Sequence, residues 1–158
     1  MSADLRRYAL TGEPVGNAYS EIIYSAHHWC ERLLLVVQPG LRLDSFANQI
    51  LAELEPQLLT ERETSEWPGT RLYDHVAIVR EYTFTHAVAH VLATAADRLF
   101  AWQQPSLPED PCLLRRDGSS WLTTIVHERD AYFELSESEL RRLLQAAPSL
   151  ELLLEMQK

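Results

Sequence analysis

The stretch that most constrains this chain is Cys112–His127. Two β-period runs, Cys112–Arg116 and Trp121–His127, face each other across Asp117-Gly118. Asp-Gly between alternating apolar runs favours the primed turns whose twist matches paired strands, so the segment predicts a β-hairpin. Ala131–Leu135 then adds a third strand to the meander. Beyond it, Ser136 and Glu139 match a capping box, with Leu140, Leu143, Leu144 and Ala147 following on one helical face until Pro148 breaks the pattern. Leu150–Met156 reads as a terminal apolar turn or two.

Upstream, the period changes several times. Tyr19, Ile22, Ile23, Ala26, Trp29 and Cys30 recur at three- and four-residue spacing, which predicts a helix from Asn17 to about Glu31. Leu33–Val37 is a continuous apolar run stopped by Pro39-Gly40, the pattern of a strand buried on both faces. Asp44 stands where an N-cap would open a helix through Phe46, Ile50, Leu51 and Leu54, closed by Pro56. Gln57–Glu63 is a short candidate strand, and Glu66-Trp67-Pro68-Gly69-Thr70 is a turn. Val76–Phe84 alternates cleanly and predicts a strand. Thr85 caps a further helix whose apolar stripe is Val88, Val91, Leu92, Ala95 and Leu99, and which is expected to run to about Trp102.

Strands and helices do not alternate strictly, and the hairpin demands antiparallel pairing. The expected class is therefore α+β, an antiparallel sheet with three to four helices packed on it. A length of 158 residues, with 46% apolar and 23% charged residues, fits one domain over 1–158 that buries its own core. Residues 1–16, with Gly12, Pro14 and Gly16, read as a loosely ordered lead-in.

The net charge of −9 disfavours nucleic acid and anionic lipid, which require clustered Lys and Arg. Apart from Lys158 every basic residue is arginine, a coding bias of GC-rich bacteria. No apolar run is long enough for a membrane span, and the first residues lack the apolar core of a secretory signal, so the cytoplasm is the expected compartment. In that compartment Cys30 and Cys112 are expected to be reduced and buried.

The candidate chemistry is sparse. His86 and His90 stand at i and i+4, the spacing at which two imidazoles share a metal. Helical projection places both opposite the apolar stripe, and Ala87 stands where a metalloprotease helix carries its glutamate. An exposed pair of ordinary histidines is the expectation, with no metal and no other cofactor. His127-Glu128-Arg129-Asp130 is a polar strand end, and neighbouring strand residues point to opposite faces, so catalysis by His127 and Glu128 together would need a bend. Between Asp44 and Glu81 the acids outnumber arginines by eight to three. Such a face is either plain solvated surface or a docking face for a cationic partner. Trp67 and Trp121 are interface anchors if exposed and core residues if not.

Leu107-Pro108-Glu109-Asp110, Arg116-Asp117-Gly118, Trp121 and His127-Glu128 with Asp130-Ala131-Tyr132, together with Glu66–Thr70, resemble small, acidic, single-domain bacterial proteins of unassigned function. Those are similar in size and acidity to the immunity proteins that neutralise antibacterial toxins. The resemblance covers roughly the last 90 residues, is strongest in the hairpin and carries no catalytic residues. It implies a binding module whose partner is a protein, most concretely a basic toxin domain. Glu109, Asp110, Asp117, Trp121, Glu128 and Asp130 are then the expected contact residues, gathered on one outward patch. The alternatives are an enzyme using His127 and Glu128 with His86 or His90 as metal or acid–base groups, and an adaptor subunit, as a homodimer through a sheet edge or the Leu150–Met156 tail.

Overall fold

A computed structural model describes residues 4–157. The strands are β1 (Arg6–Leu10), β2 (Cys30–Val37), β3 (Leu58–Thr64), β4 (Glu66–Trp67), β5 (Thr70–Arg71), β6 (Ala77–Thr83), β7 (Glu109–Arg115), β8 (Ser120–Ile125), β9 (Asp130–Leu135) and β10 (Leu154–Met156). The helices are α1 (Asn17–Ala26), α2 (Ser45–Leu54), α3 (His86–Ala95) and α4 (Glu137–Ala146). Eight strands form one antiparallel sheet in the order β10-β1-β9-β8-β7-β2-β6-β3, and β4 and β5 form a separate hairpin. The expected α+β class is what the chain adopts.

All four helices pack against one face of the sheet. Tyr19, Ile22 and Ile23 of α1, Ile50 and Leu54 of α2, Val88 and Leu92 of α3 and Leu143 of α4 share one core with Tyr8, Leu33, Leu35, Tyr82, Leu113 and Phe133 from the strands. The opposite face carries a smaller core of Leu34, Val36, Ala77, Val79, Cys112 and Leu114, closed by Trp67 from the β4–β5 hairpin. The unbroken apolar run of β2 is thereby explained: Leu33 and Leu35 meet the helices, while Leu34 and Val36 meet the hairpin. Cys30 belongs to the first core and Cys112 to the second, so both thiols are buried, unpaired and on opposite faces of the sheet.

Local signals set most element ends. The Thr85 side chain accepts from Val88 N–H, and the Ser136–Glu139 capping box is complete. At the β7–β8 turn, Gly118 sits at φ +87°, and the Asp117 carboxylate accepts from Ser119 N–H at 2.9 Å. At the edge, β3 points Glu61, Arg62 and Glu63 into solvent, charges that oppose edge-to-edge pairing.

Four expectations are corrected. Helix α1 ends at Ala26 rather than near Glu31, because Cys30 and Glu31 already lie in β2, where Cys30 pairs with Arg115. Residues 6–10 are not a loose lead-in: Tyr8 and Leu10 alternate inward, and β1 is paired on both sides, with β9 and β10. Met1–Ala3 of that lead-in lie outside the described residues. The third helix stops at Ala95 because residues 96–98 leave the helical conformation to bond the segment before α1; Gly16 N–H donates to Asp97 O at 2.7 Å, and Leu99 N–H, at the start of a 3-10 turn, donates to Pro14 O at 3.2 Å. The tail does not end as a helical turn, since residues 154–156 add the edge strand β10 beside β1.

Candidate binding cleft

Two irregularities in the sheet place the polar groups that matter. On β7, three steps from Glu109 to Cys112 oppose two steps on β2, from Val36 to Leu34. The extra residue is a bulge, and within it Asp110 takes a left-handed backbone, φ +52°. Aspartate tolerates that conformation better than most residues. On β8, Ser120 and Leu122 pair with the consecutive residues Leu114 and Leu113, which leaves Trp121 as a second bulged residue.

The β7 bulge turns the Asp110 carboxylate inward, where it is 2% exposed. Oδ1 accepts from Val126 N–H at 2.9 Å and Oδ2 accepts from the Trp67 indole N–H at 3.3 Å. Asp110 therefore ties the covering hairpin to the end of β8. Glu109, 7% exposed, accepts from Gln104 N–H at 3.0 Å through Oε2. Burial raises the pKa of both carboxyls above the ordinary range; the donors at Gln104, Val126 and Trp67 oppose that rise. His127 nearby also favours their ionised forms.

Gln104 fixes the loop across from them. Its Oε1 accepts from Gln38 N–H at 2.6 Å, and its Nε2 donates to Gln38 O at 3.1 Å and Leu41 O at 3.2 Å. The loop after β2, the segment 72–76 and the start of β7 thus surround a cleft of about 530 Å³, within which Gln38, Leu41, Leu72, Val76, Glu109 and His127 lie. A second lobe of about 330 Å³, bounded by the β4–β5 hairpin, Tyr73 and Glu128, shares Gln38, Leu72 and His127 with the first. The rim is apolar and open to solvent: Tyr73 is 91% exposed and Leu41 56%, with Val76 also exposed. Asp74 stands beside them, its carboxylate held below the ordinary range by His75, whose Nδ1 lies 2.7 Å away. Such a lining, apolar with a few convergent polar groups of shifted pKa, is the usual character of a ligand-binding concavity.

The expected outward patch does not form. Trp121 is fully buried: its bulge rotates it into the helix-side core, where Trp29 stacks on it at 5.6 Å and Phe133 meets it edge-on at 5.0 Å. Without the bulge, alternation would put it on the face of Thr123 and Ile125, which contact the hairpin at Gly69. Glu109 and Asp110 are buried as well. Asp117, Glu128 and Asp130 are exposed, but the six residues of β8 separate Asp117 from the other two, roughly 20 Å along a strand. Of the six expected contacts, Glu109 and Glu128 border the two-lobed cleft. Asp110 supports it from beneath.

His86 and His90 face solvent on α3, as helical projection requires. His86 lies against His27 with ring centroids 3.8 Å apart, and His90 Nδ1 lies 3.2 Å from the Tyr24 hydroxyl. Among the described residues, no three His, Cys, Asp or Glu side chains converge as a metal-binding group. The Cys112 thiol is pushed up to about 12 by burial, which leaves it without thiolate character at neutral pH. Sequence reasoning missed Leu41, Tyr73, His75 and Gln104. The one signal available was an aromatic-Asp-His triplet, Tyr73-Asp74-His75, in a segment with no periodicity.

No described helix is long and apolar enough to cross a membrane. Comparison with protein-family models, curated proteins and solved structures returns no match.

Proposed function

We propose that this protein is a protein-binding module of the immunity type, and that it neutralises a basic partner domain by docking through the cleft end of its sheet. The observation that carries this reading is the exposed apolar rim of Leu41 and Val76 on the lobe that Glu109 lines, with Tyr73 exposed on the adjoining lobe. Large exposed aromatic and aliphatic side chains bordering a concavity mark interaction surfaces, and aromatic residues are enriched among interface hot spots. The net charge of −9, with Asp74 and Glu128 beside the cleft, favours encounter with a cationic domain. The elements behind the cleft are pinned by Gln104 and Asp110, so little conformational entropy is lost on docking.

The test is calorimetric binding to a candidate toxin domain, paired with a growth-protection assay. Tyr73→Ala and Val76→Asp are expected to weaken binding by ten-fold or more and to abolish protection, while Asp117→Lys at the far turn leaves both unchanged. Binding that follows Asp117 and ignores Tyr73 and Val76 would overturn the reading.

A second reading, an acid–base enzyme, has one observation in its favour: the buried Glu109 carboxyl and His127 border the same concavity and interact electrostatically. It predicts turnover of some small substrate that is lost in both Glu109→Gln and His127→Ala. Turnover that survives both substitutions would overturn this second reading.

A further inference from the structure

We propose that the occupant of the 530 Å³ cleft is an arginine side chain presented by a loop of the protein partner, its guanidinium on Glu109 and its methylenes along Leu41, Leu72 and Val76. This rests on the docking reading above and names its chemistry. Three observations carry it.

The first is an unneutralised carboxyl. Glu109 is more than nine-tenths buried, yet among the described residues no Arg or Lys side chain lines this cleft. The charges that act on Glu109 are Asp110, which opposes its ionisation, and His127, which favours it. The arginines near this end have other partners: Arg71 lies 3.1 Å from Glu66, and Arg42 lies 3.0 Å from Asp44. A buried carboxylate with neutral donors only is a site that gains when a cation arrives.

The second is the lining. Pro39, Leu41, Leu72 and Val76 form apolar walls, whereas the polar groups, Gln38, Gln103, His75 and His127, are few and spaced around them. An arginine has both parts, an aliphatic stem that packs on apolar surface and a planar head with five fixed donors. A glutamate floor and amide oxygens suit that fork better than they suit the compact, strongly hydrated lysine ammonium.

The third is the rim. Tyr73 projects almost wholly into solvent beside the cleft, Asp74 accompanies it, and Glu128 borders the adjoining lobe. An aromatic face and two further carboxylates near the cleft, set against Arg71 of the adjoining lobe, which is paired with Glu66, favour a guanidinium over an anion.

The experiment titrates the full-length protein with N-acetyl-arginine amide, and separately with N-acetyl-citrulline amide and N-acetyl-lysine amide. Binding is followed through the imidazole and backbone resonances of His75, His127 and residues 38–41. The arginine probe is expected to give saturable shifts at millimolar concentration, as befits a ligand of this size. Citrulline, its neutral near-isostere, binds about ten-fold more weakly or less, lysine binds more weakly than arginine, and Glu109→Gln removes the arginine preference while keeping the bond from Gln104. Equal binding of arginine and citrulline, tighter binding of lysine, or an arginine preference that survives Glu109→Gln would overturn the proposal. Because the probe comparison needs no variant, misfolding of Glu109→Gln would not blunt it. A protein partner that loses affinity with Tyr73→Ala but not with Glu109→Gln overturns the arginine assignment and keeps the docking surface. One indifferent to both overturns the docking surface itself.

Discussion

The Trp67 indole N–H donates to Asp110 Oδ2 at 3.3 Å, joining the β4–β5 hairpin to a bulge in the sheet beneath it. The other oxygen of Asp110 holds Val126 N–H, so one buried carboxylate serves two donors from different segments. Asp110→Ala orphans both donors and places alanine at φ +52°, for a loss of about 2–4 kcal/mol. Asp110→Asn tolerates the backbone and keeps one acceptor, so its cost is about half. Denaturant midpoints at constant m-value measure both. A loss below about 0.5 kcal/mol for Asp110→Ala would show that the bulge does not depend on these bonds.

Gly69 at φ +86° forms the second corner of the Pro68-Gly69 turn. A Cβ there would lie 2.8 Å from Thr123 Cγ2 and 3.0 Å from Ile125 Cγ1. Gly69→Ala is expected to lift the hairpin and to cost about 1–3 kcal/mol, from overpacking and backbone strain together. Gly40 has open space around its Cβ position and no positive φ, so Gly40→Ala should stay within about 0.5 kcal/mol of the parent. Thermal melts of the pair make the comparison, and equal effects would refute it.

Arg115 reaches under α4 to Glu139, with N–O distances of 2.9 and 3.1 Å, and also donates to Ser120 O at 2.8 Å. Both side chains are largely buried, and Glu139 also completes the capping box. Removing one member strands the other: Arg115→Met should cost about 3–5 kcal/mol. Glu139→Gln keeps an oxygen for the cap and should cost less. A double-mutant cycle in urea that returns no coupling energy would contradict this account.

Stability should respond to pH with two opposed signs. Burial raises Glu109, so the folded state holds that proton more tightly than the unfolded chain. Its contribution is full below the ordinary value of 4.5 and is lost as pH rises through the raised value. His27 is lowered, first by desolvation and then by His86 and His28. Its contribution is full above the ordinary value of 6.5 and is lost as pH falls through the lowered value. Relative to the parent, Glu109→Gln should therefore make stability rise more steeply with pH between these limits, and His27→Phe should make it rise less steeply. Chemical denaturation across that range measures the slopes, and unchanged slopes in both variants would refute the assignment.

What was legible in the sequence was local. Asp117-Gly118, Thr85 before Val88, and Ser136 with Glu139 each act within a few residues, and each lies where its pattern placed it. Alternation breaks where a bulge interrupts it: counting by twos places Trp121 with Thr123 and Ile125 on the hairpin face, and one extra residue on β8 turns it into the helix-side core. Glu109 and Asp110 looked like surface for a similar reason, since charge alone does not disclose a bulge that folds a carboxyl inward. The cleft is assembled from segments 38–41, 72–76 and 103–109, joined by Gln104 and Asp110 over long sequence separations. No periodicity records that meeting.

The most direct measurement places a photo-crosslinking amino acid at position 73 and, separately, at position 117 of the full-length protein in its native cells. The captured partner is then purified and titrated against Tyr73→Ala. Adducts from position 73 alone, to a basic protein whose affinity falls ten-fold or more with Tyr73→Ala, are the predicted result. Adducts from position 117 with none from 73, or an affinity unmoved by Tyr73→Ala, would contradict docking at the cleft.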